Sequence, residues 1–223
     1  MNTILFDLDG VLLNSSAIHE ESFKSSFADH NLEIVFDYND IAGLSTKDAI
    51  YKILKNKEVR NETISSLIST KQEYAKKLFS KLKSVPVFPG VVKGLNLLQE
   101  FYTMALCTSA SQTTVDFFFS SPIKKDWFDL ILSSKDVVKS KPNPDIYLEA
   151  MSRMKVKPTD CVIIEDSIAG LVAAQISGAR VIRFTSKALS KERSLVIDSK
   201  YPEFTEFKIL TNYLIEEFHA KNR

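Results

Sequence analysis

Residues 3–10 read TILFDLDG, a short apolar run that stops at two aspartates set two apart and then a glycine. A run this brief, with no polar alternation, fits a strand buried on both faces of a parallel sheet. The same form recurs downstream: Thr103 to Cys107 before Thr108-Ser109, Leu130 to Leu132 before Ser133-Ser134, Cys161 to Ile164 before Glu165-Asp166, and Val181 to Phe184 before Thr185-Ser186. Between these runs lie stretches of helical pattern, Val91 to Phe101, Ser111 to Phe119, Asp145 to Met154 and Ser167 to Ser177. Strand and helix in alternation predict an α/β chain with a doubly wound, Rossmann-like parallel sheet.

One connection breaks the rhythm. From Asn14 to Ser84 no buried strand is evident, whereas Ile50, Ile53 and Leu54, then Leu67, Ile68, Tyr74, Ala75 and Leu78, recur at helical spacing among Lys, Glu and Ser. This predicts an inserted α-helical cap domain over residues 14–85, with residues 1–13 and 86–223 forming the α/β core domain. The sequence VPVFPG at 85–90 is the expected hinge, because its prolines restrict the backbone where the chain re-enters the sheet.

With 223 residues, 44% hydrophobic and 26% charged, the chain can bury one substantial core plus a smaller insert, and disorder is a poor explanation. The 29 Lys and Arg against 28 Asp and Glu leave a net charge of +1, too little to attract nucleic acid or an anionic membrane. Cys107 and Cys161 sit in apolar runs without metal-ligand spacing and read as buried thiols. Asp7 and Asp9 interrupt the first apolar run, so the N-terminus does not read as a secretory leader, and the expectation is a cytoplasmic monomer.

In open α/β sheets the ligand crevice lies at the carboxyl ends of the strands, so the polar clusters converge there. Asp7, Asp9, Glu165 and Asp166 would then share one crevice, and their mutual repulsion calls for a hard divalent cation. Mg²⁺ suits an oxygen-only set that is completed by water and a substrate phosphate. Lys141 in SKPNPD adds a positive charge from another strand end, and Thr108 and Ser109 add hydroxyls and N–H groups before a helix. These are the parts of a phosphate site.

The segments FDLDGVL, LCTSAS, SKPNPD and IIEDSIAG, in this order along almost the whole chain, resemble the four motifs of the haloacid dehalogenase superfamily. The position and size of the insert resemble the subgroup with a helical cap, which includes β-phosphoglucomutases and many sugar-phosphate phosphatases. The resemblance implies Asp7 as phosphoryl-accepting nucleophile, Asp9 as general acid and base, and Thr108, Ser109 and Lys141 as phosphate binders. It also implies Asp7, Glu165, Asp166 and the backbone carbonyl of Asp9 as Mg²⁺ ligands. Asp9 must begin protonated to serve the leaving oxygen, a state that a closed, dry crevice would favour.

In the cap, His19 and Lys71 look like substrate-contacting positions of β-phosphoglucomutase-like proteins, although an isolated His or Lys on such a helix is more often a surface residue. Phe23, one turn beyond His19, is expected to pack the cap core, and Phe117-Phe118-Phe119 to pack a helix against the sheet. In β-phosphoglucomutases an arginine after a Gly-x-Ser element grips the non-transferring phosphate. The corresponding GLSTKD has Thr46 there, and the adjacent Lys47 is not its equivalent. The implied activity is hydrolysis of a small phosphorylated metabolite, a sugar or polyol phosphate, with the mutase as runner-up. A receiver-type module would need neither the cap nor the paired acids of the first strand. A dehalogenase would need no metal or second acid, and a phosphonate hydrolase would need a cap lysine able to form an imine.

Overall fold

The computed structural model of the chain describes residues 2–55, 57, 59–185 and 201–221. Its strands are β1 (Thr3–Phe6), β2 (Thr103–Cys107), β3 (Leu130–Leu132), β4 (Cys161–Glu165), β5 (Arg180–Phe184) and β6 (Glu203–Phe204). They pair in parallel in the order β3-β2-β1-β4-β5-β6. The chain thus winds outward from β1 on one side, then returns to wind outward from β4 on the other, which opens a crevice between the ends of β1 and β4. The five expected strands are present, and β6 is an addition at the edge. Two residues, one of them exposed, form too short a run to read as a strand from pattern. Ser186, placed with Thr185 at a strand end, lies outside the described residues.

Between β1 and β2 the described elements begin with four helices, α1 (Ser16–Asp29), α2 (Tyr38–Ile41), α3 (Thr46–Ile53) and α4 (Asn61–Ser80). They bury Phe23, Phe27, Ile41, Ile50, Leu54, Ile64 and Leu67 in a cluster of their own. Buried Ser26 Oγ ties α1 to α4 by donating to the Leu67 carbonyl at 2.9 Å. Ser45 starts α3: its hydroxyl accepts from the Asp48 N–H and donates to the Asp48 carboxylate. The far end of α4 leaves this cluster, because Ala75 and Phe79 pack into the sheet core instead.

Helices α5 (Val91–Leu98), α6 (Gln112–Phe118), α7 (Asp145–Met154), α8 (Ile168–Ile176) and α9 (Phe207–Lys221) flank the sheet. Strand residues alternate between two cores, as the period of two requires. Ile4, Phe6, Leu106 and Ile164 face the layer that contains α5 and α9, while Leu5, Cys107 and Ile163 face α7 and α8. Each fully buried side chain of this size contributes about 1.5–3 kcal/mol. The phenylalanine run divides: Phe118 is buried in the core, whereas Phe117 stacks on Phe79 of α4 with centroids 4.3 Å apart, so it joins the insert to the sheet layer. Among the described residues no helix is long and apolar enough to cross a membrane.

Candidate active site

Where β1 ends, the Asp7 N–H still donates to the Ile164 carbonyl of β4 at 3.0 Å, which places Asp7 against the end of that strand. Glu165 ends β4 and Asp166 follows it. All three carboxylates are buried, and one oxygen from each lies within 4.8 Å of the others. Two glycines make this approach possible. A Cβ on Gly10, whose φ is +89°, would overlap the Asp166 carboxylate, and one on Gly170 would overlap that of Glu165.

Lys141 enters from the loop before α7 and is fully buried. Its Nζ donates to Asp7 Oδ1 at 2.6 Å, to Glu165 Oε1 at 2.6 Å and to the Cys107 carbonyl at 3.1 Å. Burial alone would favour the neutral amine, but the two carboxylates outweigh it and hold the ammonium charged. Asp7 is pushed the other way, well above the usual carboxylate range, by burial and by Glu165 and Asp166, with Lys141 only partly offsetting them. One ammonium against three carboxylates leaves net negative charge, and a set made only of oxygens in glycine-cleared space fits a hard divalent cation. Glu165 differs from the other two. Its Oε1 accepts from Lys141 and Tyr147, and its Oε2 accepts from Asp166 N, Ser167 N and Ser167 Oγ, so both oxygens are already committed to protein donors.

Asp9 anchors a second chain of contacts. Ser15 Oγ donates to its Oδ1 at 2.5 Å, and His19 Nε2 lies 3.2 Å from the same oxygen. Lys71 Nζ lies 3.2 Å from His19 Nδ1. An ammonium only donates, so Nδ1 accepts and the ring proton sits on Nε2, facing Asp9. Burial and Lys71 hold His19 below its ordinary range, which makes it a neutral N–H donor at neutral pH. Burial is the largest influence on Asp9 and would raise it, yet His19, Ser15 and Lys71 together outweigh burial and hold it below the usual range. The expected protonated Asp9 is therefore not the resting form in this geometry. His19 and Lys71 are each 6% exposed, which overturns the surface-residue alternative for both.

The structure gathers Asp7, Asp9, His19, Lys71, Thr108 and Ser109 around one cavity of about 50 Å³. Thr46 lines it as well and also lines an adjoining cavity of about 230 Å³, where Lys47 lies without reaching the first. Phe23 packs in the insert cluster as expected and also lines the smaller cavity, its ring centroid 4.8 Å from Lys71 Nζ. Sequence reasoning missed Ser15 and Tyr147. Ser15 occupies an N-cap position, yet its hydroxyl makes no cap bond and turns to Asp9 instead. Ser167 combines the two roles, accepting from the Gly170 N–H as the α8 cap while contacting Glu165.

Lys71 gives a stability test. Burial lowers it from 10.5 to about 8, with Asp9 opposing. Below pH 8 both folded and unfolded chains carry the proton, and the folded state bears a cost on the order of 3 kcal/mol. Between about 8 and 10.5 only the unfolded chain keeps the proton, so stability rises with pH and the cost vanishes. Lys71→Met should therefore be more stable than the parent in urea at pH 7, with the gain shrinking toward pH 10.5. A less stable variant at pH 7 would contradict this account.

Residues 4–184 match the family model of the haloacid dehalogenase-like hydrolases. Protein CbbY of Rhodobacter capsulatus is 26% identical, with 92% of this chain and 94% of that protein covered. A phosphorylated carbohydrates phosphatase of Thermotoga maritima is 25% identical, over 88% of this chain and 90% of its own length. Among solved structures, CbbY from Rhodobacter sphaeroides in complex with phosphate superposes with a TM-score of 0.78 at 25% identity, covering 94% of this chain and 96% of the other.

Proposed function

The chain belongs to the haloacid dehalogenase-like hydrolase family and is a phosphatase, and from that premise we propose that it hydrolyses the phosphomonoester of a small sugar or polyol through an aspartyl-phosphate on Asp7. The observation that carries this reading is Asp7 held 2.6 Å from Lys141 within a buried acidic set, beside a cavity lined by Thr108 and Ser109. Asp9, ionised at rest, takes up a proton from solvent as substrate binds. An Asp7 oxygen then attacks phosphorus while Thr108, Ser109 and Lys141 bind the phosphoryl oxygens, and the bond to the leaving oxygen breaks as Asp9 passes that proton to it. Water then attacks the aspartyl-phosphate, Asp9 takes the water proton, and Asp7 is released with inorganic phosphate. Asp7, Asp166 and the Asp9 carbonyl would hold Mg²⁺, with Glu165 behind them fixing Lys141. Bound there, the cation supplies positive charge that offsets the approach of carboxylate to phosphate. Residues 14–85 act as the cap that excludes bulk water from this chemistry.

The smaller cavity has room for little beyond a phosphoryl group. The leaving group therefore extends into the adjoining cavity, which shares Thr46, Gln72, Ser109 and Ser111 with the first and adds the hydroxyls of Ser45 and Ser140. A lining rich in hydroxyls, with Lys47 and Asp48 of opposite charge beside them, suits a polyol without net charge. No arginine lines either cavity among the described residues, and Lys47 is exposed, so a second phosphate lacks a planar two-bond partner and water is favoured over a bound sugar as acceptor. The test supplies β-glucose 1-phosphate with Mg²⁺, with and without a bisphosphate primer, and follows inorganic phosphate and glucose 6-phosphate separately. Release of phosphate is expected, and dominant 6-phosphate formation would establish the mutase instead.

A further inference from the structure

Tyr147 lies on α7, six residues after Lys141, and is fully buried in the apolar layer beneath the sheet. A phenylalanine would fill that space as well, and a hydroxyl buried among apolar side chains costs stability unless it is bonded. It is bonded, donating to Glu165 Oε1 at 2.6 Å, the same oxygen that accepts from Lys141 Nζ at 2.6 Å. The Tyr147 ring centroid also lies 5.0 Å from that ammonium. All three Lys141 donors are engaged, and Asp7 and Glu165 hold the ammonium at the same distance of 2.6 Å. Two carboxylates thus compete for one cation, and the strength of each claim depends on its other donors.

We infer that Tyr147 is a positioning residue whose hydroxyl offsets part of the charge on Glu165 Oε1 and so leaves Lys141 poised on Asp7 and its phosphoryl group. Without that hydroxyl, Glu165 Oε1 has Lys141 as its remaining side-chain donor and draws the ammonium away from Asp7. The other Glu165 oxygen is unaffected, because its donors come from Asp166 and Ser167. The inference rests on the reading of Asp7 as nucleophile and Lys141 as phosphate-binding cation.

Tyr147→Phe isolates the hydroxyl while keeping the ring. With a small aryl phosphate and saturating Mg²⁺, kcat should fall roughly 10- to 100-fold while KM stays within about threefold, since Thr108 and Ser109 still bind the ground state. In a Glu165→Gln background the competing charge is absent, and the same substitution should cost less than about twofold. A kcat for Tyr147→Phe within about twofold of the parent would overturn the inference. So would an undiminished loss in the Glu165→Gln background, a result that marks a role in packing alone. Should Glu165→Gln fail to fold, the division of the single-variant effect between kcat and KM decides. A parent enzyme that releases no phosphate from any phosphomonoester refutes the phosphatase reading itself, whereas an active parent with an equally active Tyr147→Phe refutes only the role of Tyr147.

Discussion

Replacing Asp7 by asparagine is expected to lower phosphate release by about four orders of magnitude or more, because the amide cannot accept the phosphoryl group and a cation ligand is weakened at the same time. The fold should not suffer. Burial and two neighbouring carboxylates hold Asp7 above its ordinary range, so its ionised form costs stability in the folded chain at neutral pH, and a neutral amide removes that cost. In chelator-treated buffer Asp7→Asn should therefore melt at the same temperature as the parent or higher, which separates lost chemistry from lost structure. Retention of more than about one per cent of the parent's turnover would remove Asp7 from the nucleophile's role. Full activity of the parent in EDTA would equally refute the need for a cation.

Asp9→Asn should produce the next largest loss, about 10²- to 10⁴-fold for alkyl phosphates, since general acid and base assistance is worth that much. Its size should depend on the leaving group. An aryl oxide leaves without a proton, so its first step needs little from Asp9, whereas attack of water on the aspartyl-phosphate still needs a base. The variant should then give a burst of phenol followed by slow turnover, with phosphorylated protein detectable by mass spectrometry. Equal losses for aryl and alkyl substrates, with no phosphorylated protein, would contradict this role. The structure adds a reason for sensitivity here: Ser15 and His19 both bond Asp9 Oδ1, and asparagine cannot offer either donor a charged acceptor.

Much of this architecture was legible because it depends on short-range rules. Apolar runs of three to five residues ending in polar pairs located β1, β2, β3, β4 and β5 and part of the crevice, since a strand buried on both faces has few other ways to be written. The same rule could not find β6, and it could not say what Lys71 meets, because α4 also carries Lys76 and Lys77 and periodicity ranks faces without naming partners. Ser15 was hidden by a competing local role, that of helix cap, which its hydroxyl does not perform.

From its sequence alone the chain is an α/β protein with a helical insert and acidic, lysine and hydroxyl groups at successive strand ends, for these follow from residue type and spacing within a few positions. Only the tertiary structure decided which of those groups meet. Lys71 reaches His19 across 52 positions, Lys141 reaches Asp7 across 134, and Tyr147 reaches Glu165 from a neighbouring helix. It also set their charge states, leaving Asp9 ionised where the sequence reading has it protonated. The physical reason is that a hydrogen bond is settled within about 3 Å by packing and rotamer, and a buried charge by every dipole around it. Neither quantity is carried by the spacing of residues along a chain.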